Sequence, residues 1–314
     1  MTLPLRTVFF GTPDFAVPPL EALLDAGITV PLVVSQPDRP VGRHAAPRAS
    51  TVAAFAAARG IPVEKPATVR GNGALLETLR AARPDAIVVV AFGRILPVEI
   101  LHLPPLGCVN VHASLLPRYR GASPIQAAIL AGDPETGVVT MRMEEGLDTG
   151  PVFIEQKVVI GDRETSGELS ARLAAIEGEI LVATLRGLAA GSLSARPQAG
   201  EPSFCRPIRR EDGAVDWTRS ASELSRRLRA YTPWPGLYTF LGPERVKILE
   251  AATDSGSGSG EPGSFRLDDG RLVALTGDGT VLRIDRLQRA GRKPVTGAEF
   301  ARSVELPGRF ESPR

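Results

Sequence analysis

The run Ala86 to Phe92, AIVVVAF, is apolar throughout and bounded by Pro84-Asp85 and by Gly93. It is too short to be a helix that crosses a membrane and rich in β-branched residues, so it predicts a strand buried on both faces. Such a strand needs helices above and below a parallel sheet, which confines this part of the chain to an α/β fold. The opening of the chain agrees. Thr7 to Gly11 (TVFFG) and Ile28 to Ser35 predict two more strands, with a helix between them. Asp14 is expected to cap that helix, prolines stand near its first turn, and Gly27 closes it. Strand, glycine turn, helix, strand is a Rossmann-like start. The absence of G-x-G-x-x-G argues against a dinucleotide cofactor. Further helices are expected over Thr51 to Arg59, through Leu75 to Ala82, and over Thr165 to Ala190. In the last, Leu169, Leu173, Ile176, Ile180 and Leu181 form a core stripe. The expected class is α/β, a Rossmann-like open, mostly parallel sheet.

With 314 residues the chain is long for one domain and natural for two. Residues 191–207 are rich in Pro, Ser and Gly without periodicity and read as a linker. Short strands then alternate with glycine-rich turns, at Leu237 to Leu241, Val246 to Ala251, Ser264 to Leu267, Leu272 to Thr276 and Val281 to Leu287; Ser255 to Gly260 reads as a flexible loop. That pattern suggests a small OB-like β-barrel. The expected division is therefore 1–190 as the Rossmann-like domain, 191–207 as linker and 208–314 as the barrel.

Several classes are excluded or disfavoured. No continuous apolar run reaches membrane length and no leader pattern opens the chain, so a cytoplasmic protein without a membrane anchor is expected. Two cysteines, Cys108 and Cys205, make no disulfide framework and suit a reducing compartment. Only three histidines are present, with no Cys/His cluster at ligand spacing, so no metal is expected. From Arg206 onward there are 19 Lys+Arg against 15 Asp+Glu, a small surplus that weakly favours a polyanion partner; ordinary solvated charge explains it equally well.

The chemistry concentrates between Gly107 and Pro151. Cys108 to His112 predicts a strand, and Asn110 and His112 share its parity, hence one face near its carboxyl end. Ligands of open parallel α/β sheets bind at those ends. Ser114-Leu115-Leu116-Pro117 then makes a tight loop, Gly121 to Gly132 reads as a helix, and Val138 to Met143 as a strand leading to Asp148-Thr149-Gly150. An Asn, a His and a later Asp are the parts of an acyl-transfer site without a covalent nucleophile. Amide and imidazole N–H groups can cradle a developing oxyanion, and a carboxylate beside the imidazole can orient it and relay a proton. Singly, Asn110 reads as a strand-end turn, His112 as a semi-buried core His and Asp148 as a turn residue. The set, with SLLP between, favours function.

Asn110-Val111-His112, then SLLPRYRG, then Asp148-Thr149-Gly150, is similar to the formyltransferase superfamily that uses 10-formyltetrahydrofolate. GTPDFAVPPLEAL near the start and QPDRPVGR from Gln36 resemble its methionyl-tRNA formyltransferase branch. The resemblance implies formyl transfer from 10-formyltetrahydrofolate to the methionine amine of initiator methionyl-tRNA, by a monomer. It implies that Asn110 and His112 hold the oxyanion and that Asp148 orients His112 and relays a proton. It puts Ser114, Leu115, Leu116, Pro117, Phe92, Gly93, Ile95 and Leu96 at the folate pocket. Arg39, Arg43 and Arg48, in the loop from Gln36 to Ser50, would meet tRNA together with the C-terminal barrel. In that loop Ala45-Ala46 stands where lysines often occur. The EDG-x-x-DW and PWPG patterns occur in sugar-nucleotide N-formyltransferases too, which, with a catalytically idle RNA-binding protein, are the alternatives.

Overall fold

A computed structural model describes residues 5–40 and 46–312, so Arg43 and His44 lie outside the described residues. The chain divides into two units: one holds the chain up to Pro124, Glu135–Val159 and Ser170–Arg206; the other holds Ile125–Pro134, Ile160–Leu169 and the chain from Pro207.

The first unit is built on strands β1 (Arg6–Gly11), β2 (Thr29–Val34), β3 (Val63–Glu64), β4 (Ala86–Val90), β5 (Cys108–His112), β6 (Glu135–Arg142) and β7 (Val152–Val159). They form one sheet in the order β7-β6-β5-β4-β1-β2-β3. The first five run parallel, and β6 and β7 add antiparallel pairs at one side. The winding reverses between β1 and β4, which leaves a crevice at the carboxyl ends of the adjoining strands. Alternation along the strands sends Val8, Phe10, Ile87, Val89 and Cys108 into one core with Leu79 of the helix Gly73–Ala82. At the end of β1 the backbone packs tightly: a Cβ on Gly11 would meet the Phe9 ring at 2.6 Å and the Val90 carbonyl at 3.2 Å.

The helices largely follow their sequence signals. Ser50 caps Thr51–Ala58 and Asn72 caps Gly73–Ala82, each accepting a backbone N–H. Asp14 does not act as the expected cap. Its carboxylate accepts only from the Phe15 N–H, within a 3-10 turn at Asp14–Ala16, and the helix proper runs Val17–Asp25. Pro18 and Pro19 in its first turn have no N–H to satisfy, so a side-chain cap has less to do. The helix expected from Gly121 starts at Pro124, because Arg120–Gly121 is drawn into a short parallel pair with Phe204–Cys205. The same pair corrects the linker: residues 191–206 belong to the first unit, with Val152 also bridged to Arg196.

In the second unit β8 (Leu237–Leu241), β9 (Glu244–Ser257), β10 (Ser264–Asp268), β11 (Arg271–Leu275), β12 (Thr280–Arg289) and β13 (Gly308–Arg309) form a curled antiparallel sheet ordered β8-β9-β12-β11-β10-β13. Phe240 of β8 pairs with Glu311 just beyond β13, joining first strand to last. Trp217 stacks on Phe310 inside this curl, and its Nε1–H donates to Thr239 Oγ1 at 2.9 Å. β9 continues to Ser257, so the expected loop at 255–260 begins as strand. Three arginines of β11 and β12 face acids on β9, Arg271 with Asp254, Arg286 with Glu250 and Arg289 with Glu244, pairs that leave the net basic surplus unchanged.

The long helix Ser166–Ala189 buries Leu169, Leu173, Ile180 and Leu181 as its stripe predicts, with Ile176 half-buried. Beside them Glu177 is also buried, and neither carboxylate oxygen has a hydrogen-bond partner among the described residues. Burial pushes this carboxyl well above the usual carboxylate range. The folded chain therefore binds this proton more tightly than the unfolded chain does. Its contribution to stability is fully present at acid pH and is lost as pH rises through and beyond the ordinary carboxylate range. Glu177→Gln, which cannot ionise, is expected to have a Tm that matches the parent at low pH and exceeds it increasingly toward neutral pH. Parallel Tm–pH curves for the two proteins would show that the carboxyl is not desolvated.

Candidate active site

Asn110 and His112 lie on β5 with the same parity, both less than a tenth exposed, as their spacing predicts. The Asn110 side-chain amide makes no hydrogen bond to another described residue. Opposite β5, β6 leads through Glu144 to Leu147, an exposed loop, to Asp148, whose φ of 50° is left-handed. Asp is one of the few residues that adopt this region readily. The turn brings Asp148 Oδ2 to 3.7 Å from His112 Nδ1 and within 2.8 Å of the Gly121 N–H, which donates to it. Only a residue without a side chain fits at Gly121: its φ is 117°, and a Cβ there would lie 2.3 Å from the Cys205 carbonyl oxygen.

The other ring nitrogen decides the tautomer. His112 Nε2 lies 3.0 Å from the Tyr119 carbonyl oxygen, which can only accept, so Nε2 carries a hydrogen. The tautomer thus rests on the Tyr119 backbone, while Asp148 faces the Nδ1 side across a gap too long for a good hydrogen bond. Tyr119 is itself held, with φ at 58° and its N–H donating to Ser203 Oγ at 2.9 Å.

The loop expected to line a folate pocket is more mixed. Ser114 is fully buried and its hydroxyl donates to the Arg118 carbonyl at 2.6 Å. Leu115 packs over Gly137 of β6, and Leu116 joins Val139, Met141 and Val152 in a small core. Pro117 is buried as well. These side chains hold the loop to the sheet. At the end of β4, Phe92 and Leu96 are core residues, Phe92 edge-on to Phe10, whereas Gly93 is exposed and Ile95 is 74% exposed. The Phe92 carbonyl accepts from Gln36 Nε2 at 2.6 Å, so the loop carrying the expected tRNA-binding arginines starts beside this wall. Arg39 and Arg48 are exposed and pair across a two-residue antiparallel ladder.

Cys108 is no alternative nucleophile: burial pushes its thiol up to about 12, and the thiol points at the Ile100 and Leu101 carbonyls. No helix among the described residues is long and apolar enough to cross a membrane, and no group of three potential metal ligands occurs among them. Reading the sequence missed Tyr119, Gln198, Ser203 and Cys205. Gln198 Nε2 donates to the Asp148 and Gly150 carbonyls, and Cys205 Sγ accepts from the Ser123 N–H. The Tyr119 contribution is a backbone carbonyl, which residue type does not advertise, and the other three lie in a stretch whose composition reads as linker.

Comparison with known proteins accounts for both units. A formyl transferase family model matches residues 5–185, and a formyl transferase C-terminal domain model matches 207–305. Methionyl-tRNA formyltransferase of Anaeromyxobacter dehalogenans (strain 2CP-1 / ATCC BAA-258) is 47% identical over 304 residues, covering 96% of this chain and 97% of that protein. The chain belongs to the methionyl-tRNA formyltransferase family. The enzyme of that name from Phenylobacterium zucineum (strain HLK1) is also 47% identical, over 96% of this chain and 98% of its own length. Among solved structures, a sugar 3N-formyl transferase crystallised in the presence of dTDP and 5-N-formyl-THF has the same fold, with a TM-score of 0.66 and 17% identity over 93% of this chain and 100% of that one. An N-formyltransferase from Helicobacter canadensis, in complex with folinic acid and dTDP-3-aminofucose, gives 0.65 at 17% identity over 90% and 99%.

The assigned tautomer can be checked directly. In 15N-labelled protein the neutral His112 ring is expected to show a hydrogen-bearing Nε2 and a bare Nδ1, and the three histidines can be assigned by single substitution. A bare Nε2 would contradict the Tyr119 contact.

Proposed function

We propose that this protein transfers the formyl group of 10-formyltetrahydrofolate to the free amine of methionine on initiator methionyl-tRNA, giving N-formylmethionyl-tRNA. The convergence of Asn110, His112 and Asp148 at the carboxyl end of β5, in a chain of this family, carries the reading. The folate supplies an electrophilic formyl carbon on N10. Gly93 and Ile95 suit its ring system, one offering open backbone and the other an apolar side chain not spent on the core. The Ser114–Pro117 loop would meet it through backbone groups.

As the amine attacks, charge develops on the formyl oxygen. The uncommitted Asn110 amide is suited to donate to that oxygen, and so is His112 through Nδ1–H when the ring is protonated. Asp148, 3.7 Å from the ring, balances the charge the ring then carries. The amine loses a proton as it attacks and N10 gains one as it leaves. Asp148, reached through one water, can take the first, and the His112–Asp148 pair can return one. In this reading residues 1–190 carry the chemistry, and Arg39, Arg43 and Arg48 with residues 208–314 hold the tRNA by its phosphates. The protein is read as a cytoplasmic monomer.

Incubation with 10-formyltetrahydrofolate and charged initiator tRNA is expected to yield formylmethionyl-tRNA, with no formylation of an amino-sugar nucleotide. The reverse preference would overturn the assignment. Asp148→Asn tests the charge alone, since Asn also tolerates the left-handed turn and can still accept the Gly121 N–H. Turnover is expected to fall on the order of 100- to 10,000-fold with tRNA binding kept. Near-normal turnover in the folded variant would remove Asp148 from the chemistry.

A further inference from the structure

Asp148 is aimed by its main chain. Its φ of 50° is a left-handed conformation that Asp tolerates but that costs more than right-handed backbone, and residues 144–147 before it are exposed, so the groups that hold the turn come from elsewhere. The element that holds this turn comes from about fifty residues away. The Gln198 amide donates one N–H to the Asp148 carbonyl at 2.7 Å and the other to the Gly150 carbonyl at 2.8 Å. Its Oε1 accepts from Arg120 Nη2 at 2.6 Å and Nε at 3.2 Å. Arg120 adjoins Gly121, whose N–H holds the Asp148 carboxylate. A planar group with two donors and an acceptor is what this position uses, and only Gln and Asn side chains provide one.

We infer that Gln198 is a positioning residue for formyl transfer, acting through Asp148 on His112; the inference rests on the function proposed above. Two bonds pin the carbonyls on either side of Thr149, and the Arg120 fork fixes the plane of the amide. Without them the turn can relax toward the right-handed region, and the carboxylate leaves the His112 ring. Gln198 is itself half-buried and touches neither His112 nor Asn110 by hydrogen bond, so it acts on placement.

Three variants test this: Gln198→Met, which keeps the length but removes every hydrogen bond; Gln198→Glu, which keeps the acceptor for Arg120 but turns an oxygen toward two carbonyls; and Gln198→Asn, one methylene shorter with both donors. Turnover of the Met variant is expected to fall on the order of 10- to 100-fold, the cost of a misplaced reacting group. The Glu variant should fall further and the Asn variant recover part of the loss. KM for folate and for methionyl-tRNA should stay within about twofold, as for a loss felt only in the transition state, and Tm should match the parent. Parent-like turnover in the Glu variant, a rise in KM with turnover unchanged, or equal losses in all three with a lowered Tm would overturn the inference. If the unaltered protein transfers formyl groups and the Glu variant equals it, this inference alone fails; if the unaltered protein transfers none, the functional reading falls and the inference with it.

Discussion

The bond from the Gly121 N–H to the Asp148 carboxylate ties together the parts of the site. It joins the segment that follows β5 to the turn that follows β6. It also leaves the carboxylate facing His112 and not open solvent. A charged acceptor held by a backbone donor is a strong, short contact, and a fixed one, because the donor cannot change rotamer. Around it the chain is closely shaped. Gly121 has no room for a Cβ, Tyr119 and Asp148 both occupy left-handed backbone, and Phe204–Cys205 pairs alongside Arg120–Gly121. Left-handed non-glycine residues at a crevice indicate that the surrounding contacts dictate the backbone.

The ring of His112 is therefore set from two directions by different kinds of group. A carbonyl holds Nε2 and a carboxylate faces Nδ1. The carbonyl is neutral and fixes direction, and the carboxylate supplies charge. With these two duties on separate groups, the ring keeps its orientation whatever the state of the carboxylate. It also leaves Nδ1 as the nitrogen that can exchange a proton during a reaction.

The rest of the first unit supports that arrangement by ordinary packing. The reversal of winding between β1 and β4 opens the crevice, and the alternation of apolar residues fills the faces away from it. Residues expected to touch a ligand prove to have two kinds of work. Leu115, Leu116, Phe92 and Leu96 hold loops to the sheet, and Gly93 and Ile95 remain on the surface. A loop that positions backbone groups needs such anchors, because a loop without buried side chains would not stay in place. In the second unit the Trp217–Phe310 stack plays the anchoring part.

What the sequence by itself determined is the local and periodic part. Strand runs, helix stripes, and the division into an α/β region and a later run of short strands all follow from nearest-neighbour chemistry. The shared face of Asn110 and His112 follows from a period of two. The motifs were legible for the same reason: they are contiguous. The tertiary structure alone decided what depends on distant partners. Asp14 lost its cap because a 3-10 turn and two prolines left little to cap. Residues 191–206 read as linker because they lack periodicity, yet a segment held by hydrogen bonds to another segment needs none. Gln198, Ser203 and Cys205 take their meaning from the groups they reach, across 50 to 86 residues. The tautomer of His112 rests on a backbone carbonyl, and every residue type carries one.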